Sequence, residues 1–492
     1  MSRKKDQSHG YGNHGRPITR RDMLAQGVMS YGAVAAMPSL LTMFSRTAQG
    51  APICSVAGNG TRMVPFIIID LAGGANIGGT NVIVGDRGGQ TSYLPAGSYG
   101  TLGLAPEQEP RTVAPNTEMG LAFHPASKML QGIKEVAAAA TLANTDGAVF
   151  CTSSGDDTRS NPHNPLYWIA RTGLKGELVS LVGTADGTSG GNAASPAASI
   201  NPSLQPSRIT RTTDALGLVD PGKLATLLGN TNDVNKVMKA IQGMSESRLR
   251  MFQEQDVPKQ IQDLITCGYV NGAEYLSKFT PAQLDAAQDA SITAAFPQIA
   301  NNQQQQAAGS IAKLVLDGFA GAGVIQMGGY DYHGQGRATQ DTRDLDAGRM
   351  IGRILQVAAA KSSPVMVYVY TDGGVSSGQN GAVNGIFPFS ADSGERSAAF
   401  TLVYNPGDAG RTGIIRDAKR QIGAFKPGGS VDGAVNKIST SVENLSKAIV
   451  GNYLALHGME DQLSTVLGSA PNPFSSTELE ALVAFDQIVQ KT

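Results

Sequence analysis

The sequence predicts an α/β protein with a mostly parallel central sheet covered by helices on both faces. First, Val64 to Ile69 and Val365 to Tyr370 are continuous apolar runs rich in β-branched and aromatic residues, the pattern of strands buried on both sides. Second, such runs alternate with helical periods, as in Asp344 to Ala359, where Leu345, Met350, Ile351, Ile354 and Leu355 recur at helical spacing. Third, each strong strand ends in glycine beside a carboxylate or an amide: Asp70 and Asn76, then Asp331, then Asp372. Ligands of parallel sheets bind beyond the carboxyl ends of the strands, so this recurrence points to one shared site.

The elements follow in chain order. Residues 1–50 read as an export signal. A single α/β domain spans 60–465, opening on a strand at 64–70. Met129 to Leu142 reads as a helix leading into a strand at 138–142. Leu178 to Arg211, rich in Gly, Ser, Ala, Pro and Asn, reads as a loop insertion. Residues 220–298 read as a helical insertion with caps at Asp233, Ser245 and Thr280. The polar tract Asn301 to Gln306 reads as a helix end or linker. Leu314, Val315, Leu316, Phe319 and Ala320 form a helical pattern that Gly321 and Gly323 break, and a short strand follows at 324–327. Strands at 365–370 and 400–404 complete the sheet, and 466–492 forms a C-terminal tail with a helix. No internal repeat of fixed period is present.

The first 50 residues resemble a targeting segment in layout. A leader with Arg3, Lys4, Lys5 and Arg16 precedes Arg20-Arg21, and Ala25 to Phe44 carries no charge. Basic, apolar and small-residue regions in that order make an export signal. The paired arginines point to the twin-arginine translocase. Cleavage near Ala48-Gln49-Gly50 or after Ala51 leaves a periplasmic or secreted protein. A disordered basic tail and a membrane anchor are the competing readings, and Pro38 with its Ser/Thr neighbours argues against a span of about 20 residues.

The leader holds seven Lys/Arg and two acids, leaving 32 basic and 38 acidic residues, a net charge of about −6 after its removal. That balance argues against nucleic acid as a partner, which requires a basic face. No later stretch is an apolar run of membrane length, so no span is expected in the mature chain. Of three cysteines, Cys54 and Cys151 lie in loop-like surroundings and are the expected pair in an oxidising compartment, leaving Cys267.

Gly328-Gly329-Tyr330-Asp331-Tyr332-His333 is the sharpest local motif. A strand delivers it, glycines turn the backbone, and Asp331 and His333 are offered together. Their oxygen and nitrogen donors suit a divalent metal: Zn²⁺, Mn²⁺, Mg²⁺ or Ca²⁺. Taken alone, a D-x-H is more often a capped turn with a hydrogen-bonded histidine. The mature chain keeps four histidines. His457 reads as a cation at a helix C-terminus, His124 as a positioning residue ahead of a helix, and His163 lies on a polar loop within reach of a site. The Ala72 to Asn81 loop reads as tight packing, since no Lys-Ser/Thr follows to make a phosphate loop.

Taken together, Phe66-Ile67-Ile68-Ile69 leading to Gly73-Gly74-Ala75-Asn76, then Phe123-His124-Pro125, Arg159-Ser160 with Trp168, and Gly328 to His333 resemble the landmarks of the DUF1501 family in order. Those are exported proteins related to the sulfatase and alkaline-phosphatase superfamily. The resemblance covers most of 60–460 and implies an alkaline-phosphatase-like fold with a metal site at the strand ends. The departures are specific. Asn76 stands where the family has Asp, Arg159-Ser160-Asn161-Pro162-His163 replaces a Ser-His-Phe loop, and Thr371-Asp372-Gly373-Gly374 replaces Ser-Glu-Phe-Gly-Arg. The Asp-His pair expected downstream is missing, and Ala391-Asp392-Ser393-Gly394 stands nearest. Cys151-Thr152-Ser153-Ser154-Gly155 resembles the sulfatase signature but lacks its Pro and Arg.

Two functions compete. One is a metal-dependent hydrolase of a small phosphate or sulfate ester, with Asp331, His333, Asp372 and Asn76 as ligands and Asp70, Asp392 and His163 as further contributors. Thr80, Ser153 or Ser160 would be its nucleophile, though no base stands beside any of them. The other is a non-catalytic binding or assembly protein of the cell envelope, holding no ion or a weakly bound one.

Overall fold

In the computed structural model the described residues are 63–154, 161–184, 206–218, 281–407, 414–416 and 419–489. The expected signal, Cys54, Cys267, Arg159, Ser160 and the caps at Asp233, Ser245 and Thr280 lie outside them.

The strands are β1 (Phe66–Leu71), β2 (Thr145–Thr152), β3 (Val179–Gly183), β4 (Ser207–Arg208), β5 (Ala320–Met327), β6 (Val365–Thr371), β7 (Val375–Ser377), β8 (Phe389–Asp392), β9 (Ser397–Tyr404) and β10 (Gln421–Ile422). Eight form one sheet in the order β10-β2-β9-β6-β1-β5-β3-β4, while β7 and β8 form a separate hairpin. Only β9 runs against its neighbours β2 and β6. The strands that lead to Asp70, Asp331 and Asp372 are adjacent and parallel at the centre, with Asp70 opposite Gln326 on one side and Tyr370 on the other.

Alternation along β1 builds two cores. Ile67, Ile69 and Leu71 join one packed by the helices Lys128–Val136, Gln303–Leu316 and Arg337–Ala360. Phe66 and Ile68 join the other, packed by Leu166–Arg171 and Val442–Ala455. There the Phe66 ring meets Tyr453 edge-on at 5.5 Å. Helices on both faces are therefore present, and every residue of β1 is buried. No described helix is long and apolar enough to cross a membrane.

Four readings need correction. The strand expected at 138–142 is a helix, Ala139–Ala143, and the strand begins at Thr145. A short alanine-rich run has no period to distinguish the two, and alanine favours helix. Gly147 and Asp146 hid the true strand; Asp146 is buried there against Arg420. Leu178 to Arg211 is not all loop, because β3 and β4 lie within it and extend the sheet. Gly321 and Gly323 do not break a helix but sit inside β5, where a Cβ on Gly323 would come within 2.6 Å of Ile311. Close packing of the helix Gln303–Leu316 on the sheet requires a residue without a side chain at that point. Finally, Cys151 is a free, fully buried thiol in β2, not half of a disulfide.

Candidate metal centre

Beyond Met327, the last residue of β5, Gly328-Gly329 turn the chain along the carboxyl edge of the sheet. Tyr330-Asp331-Tyr332-His333 then alternates. Both tyrosines are buried, and Asp331 and His333 face solvent. The Tyr330 hydroxyl donates to the Arg343 carbonyl at 2.9 Å, and that of Tyr332 to Asp344 Oδ1 at 2.7 Å. Tyr332 also stacks between Tyr330 and Phe389, with centroids 6.1 and 6.4 Å away. The tyrosines are thus the anchors that hold the two polar side chains outward.

Asp392 arrives from β8, where it pairs with Val375 of β7. Its Oδ1 lies 3.2 Å from His333 Nδ1, which also touches Asp331 Oδ1. One ligand atom from each of the three lies within 4.8 Å of the others. An imidazole nitrogen between two carboxylates can donate a proton to only one at a time, and repels both when it has none. A cation among the three removes that conflict. Two carboxylate oxygens and one imidazole nitrogen form a donor set that Zn²⁺ or Mn²⁺ accepts, with coordination positions left for water or substrate. The side chains are 43–54% exposed, so solvent reaches all three.

The remaining expected ligands lie elsewhere. Asp372 is buried, and its Oδ1 accepts the Gly73 N–H at 2.8 Å. Thr371 fastens the same loop, accepting from Ala75 N–H at 2.9 Å and donating to the Gly73 carbonyl at 2.6 Å. Gly73, at φ +119°, separates Asp372 from Asp331, since a Cβ there would fall 2.3 Å from the Asp331 nitrogen. Asn76 is buried with its amide turned into its own loop, donating to the Gly78 carbonyl at 2.8 Å and accepting the Thr80 hydroxyl at 2.6 Å. Asp392, rather than Asp372, therefore completes the close group with Asp331 and His333, while Asn76 and Asp372 are engaged by the loop 73–80.

Asp70, Asp372 and His163 belong to a buried polar cluster on the other side of Gly73. Burial pushes the Asp70 carboxyl well above its usual range, and the Asp372 charge adds to this. Asn161 Nδ2 approaches Asp70 Oδ2 at 3.5 Å, and Asp70 Oδ1 has no hydrogen-bond partner among the described residues. His163 stacks on Tyr370 with ring centroids 5.4 Å apart, and burial lowers its pKa to about 4. Its Nε2 lies 2.8 Å from the hydroxyl of Ser154, a contact the sequence did not suggest. Ser154 gives its proton to the Asp372 carbonyl at 2.7 Å, so His163 is the donor toward it. That is the reverse of the polarity by which a histidine activates a nucleophile. Thr80 is buried against Asn76, which leaves it no access to the exposed group.

The other two histidines among the described residues are structural. His124 is buried, with Nε2 donating to the Gln108 carbonyl at 2.8 Å and Nδ1 accepting from Ala126 N–H. His457 is not the expected imidazolium. Burial lowers its pKa, Nε2 accepts the Val64 N–H at 2.9 Å, and Nδ1 donates to the Tyr453 carbonyl. A neutral ring is the form that can do both.

No protein-family model matches the chain, and no curated protein is detectably similar to it in sequence.

Proposed function

We propose that this is an exported, divalent-metal-binding protein of the sulfatase and alkaline-phosphatase type, related to the DUF1501 family, with a reduced site that holds a single ion. The convergence of Asp331 and His333 from the loop after β5 with Asp392 from the end of β8 carries this reading. An ion held there would act as a Lewis acid toward the oxygen of a small phosphate or sulfate ester. The chain supplies the ligands and solvent access, while Ser154 and Thr80 are buried and the half-buried Ser153 has no hydrogen-bonded base among the described residues. With a single ion and no activated side-chain nucleophile among the described residues, hydrolysis would depend on water alone, and slow or absent turnover is the expected outcome. The same lack of a poised nucleophile favours a second reading, a non-catalytic protein binding an anionic envelope component through the ion. The paired arginines of the leader support export by the twin-arginine translocase to the periplasm or exterior, and the negative balance of charge after residue 50 opposes a nucleic-acid partner.

The test is metal content and titration. The purified mature protein should bind one Zn²⁺ or Mn²⁺ per chain. Asp331→Ala, His333→Ala and Asp392→Asn should each abolish binding, and Asp372→Asn should retain it. Equal binding by all the variants, or none by the unaltered protein, would remove the basis for the proposal.

A further inference from the structure

We propose that Gln340 is the positioning residue that sets the distance between the two segments carrying the metal ligands. This rests on the metal reading of Asp331, His333 and Asp392. Asp331 and His333 come from the loop after β5, and Asp392 comes from β8, which pairs with β7 and not with that loop. Gln340 lies on the helix Arg337–Ala360 and is fully buried. Its Nε2 donates to the carbonyls of Tyr332 at 3.0 Å and Gln335 at 2.9 Å, on the Asp331–His333 side. The same nitrogen reaches the Phe389 carbonyl at 3.0 Å, and Oε1 accepts the Phe389 N–H at 3.1 Å.

One side-chain amide therefore does for these two segments what a strand ladder does elsewhere. It pairs with both backbone groups of Phe389, three residues before Asp392, and with the carbonyl of Tyr332, the residue between the other two ligands. Three carbonyls around Nε2 fix the amide's orientation, because the opposite one would set oxygen against oxygen. No other residue type matches this set. Glutamate would present two acceptors to three carbonyls, methionine would leave those groups unpartnered in the interior, and asparagine is one methylene too short to reach both segments. Groups that orient metal ligands from behind change affinity by about 10–100-fold when removed. Gln340 acts through backbone and touches none of the ligand atoms, so its effect is on the geometry of the group.

The experiment compares the unaltered protein with Gln340→Met and Gln340→Asn. Zn²⁺ affinity is measured by calorimetry, Co²⁺ coordination by visible absorption, and folding by circular dichroism and Trp168 emission. The inference expects folded variants that bind Zn²⁺ about 10–100-fold more weakly, with a changed Co²⁺ spectrum. A role in stability alone would lower the unfolding midpoint and leave the spectrum unchanged. Gln340→Asn keeps an amide at this position and carries the test if the methionine variant does not fold. Identical affinity and spectrum in a folded variant would overturn the inference while leaving the metal site intact. Failure of the unaltered protein to bind either ion would instead overturn the metal reading, and this inference with it.

Discussion

Asp344→Asn offers a quantitative test of the polar support beneath the candidate site. Asp344 is fully buried on the helix Arg337–Ala360, where its Oδ1 accepts the Tyr332 hydroxyl and its Oδ2 makes no well-formed hydrogen bond among the described residues. Burial pushes its pKa up from 3.8 to about 6, against the opposing pull of Arg337, Tyr332 and Asn81. Each tenfold change in proton affinity is worth about 1.4 kcal/mol, so the ionised carboxylate costs the fold about 3 kcal/mol relative to the protonated one. Between the two pKa values the folded state holds more protons than the unfolded chain. The stabilisation is therefore complete below the unfolded value and is lost as pH rises through about 6. About 2 kcal/mol of that loss falls between pH 4.5 and 7.5. Asparagine does not titrate, so the stability of Asp344→Asn relative to the unaltered protein should rise by about 2 kcal/mol over this interval. Taking the difference between the two proteins cancels any pH-independent effect of the altered Tyr332 hydrogen bond. It also cancels the opposite trend of His163, whose lowered pKa makes stability fall as pH drops from 6.5 toward about 4. Urea unfolding suits the measurement, because Trp168 is the single tryptophan and is fully buried. A difference that stays constant from pH 4.5 to 7.5 would show that Asp344 is not the desolvated carboxyl described here.

Two further outcomes are expected. Gly73→Ala should destabilise the protein by more than about 2 kcal/mol and weaken metal binding, because its Cβ would strike the Asp331 backbone at a positive φ. At Gly74 the nearest contact for a Cβ is the Val375 side chain at 3.1 Å, so Gly74→Ala is the matched control, and equal urea midpoints for the two variants would refute this account. Replacing Arg20-Arg21 with Lys-Lys should leave full-length precursor in the cytoplasm on fractionation, whereas unimpaired export would rule out the twin-arginine route.

The central strands were legible because burial on both faces leaves an uninterrupted apolar run that few other environments produce. Val64 to Ile69 and Val365 to Tyr370 therefore read correctly to within two residues at each end. β2 and β5 were obscured by Gly147, Gly321 and Gly323, whose reason lies in neighbouring strands and helices that the local sequence does not reveal. Tyr-Asp-Tyr-His also carried its own signal, since period-two alternation separates anchors from presented groups whatever packs against them. By itself, then, the sequence determined the mostly parallel core, the placing of the acid-bearing strands in one sheet and the joint presentation of Asp331 and His333; their adjacency in the order β6-β1-β5 came from the structure. Tertiary structure alone decided which carboxylate completes the group. Asp70, Asp372 and Asp392 are equivalent as residue types near strand ends. Strand register turns Asp70 toward Tyr370, the Gly73 amide captures Asp372, and the β7–β8 hairpin brings Asp392 to His333 across about 60 residues of chain. Distances between segments that far apart depend on the packing of everything between them, which no local pattern encodes.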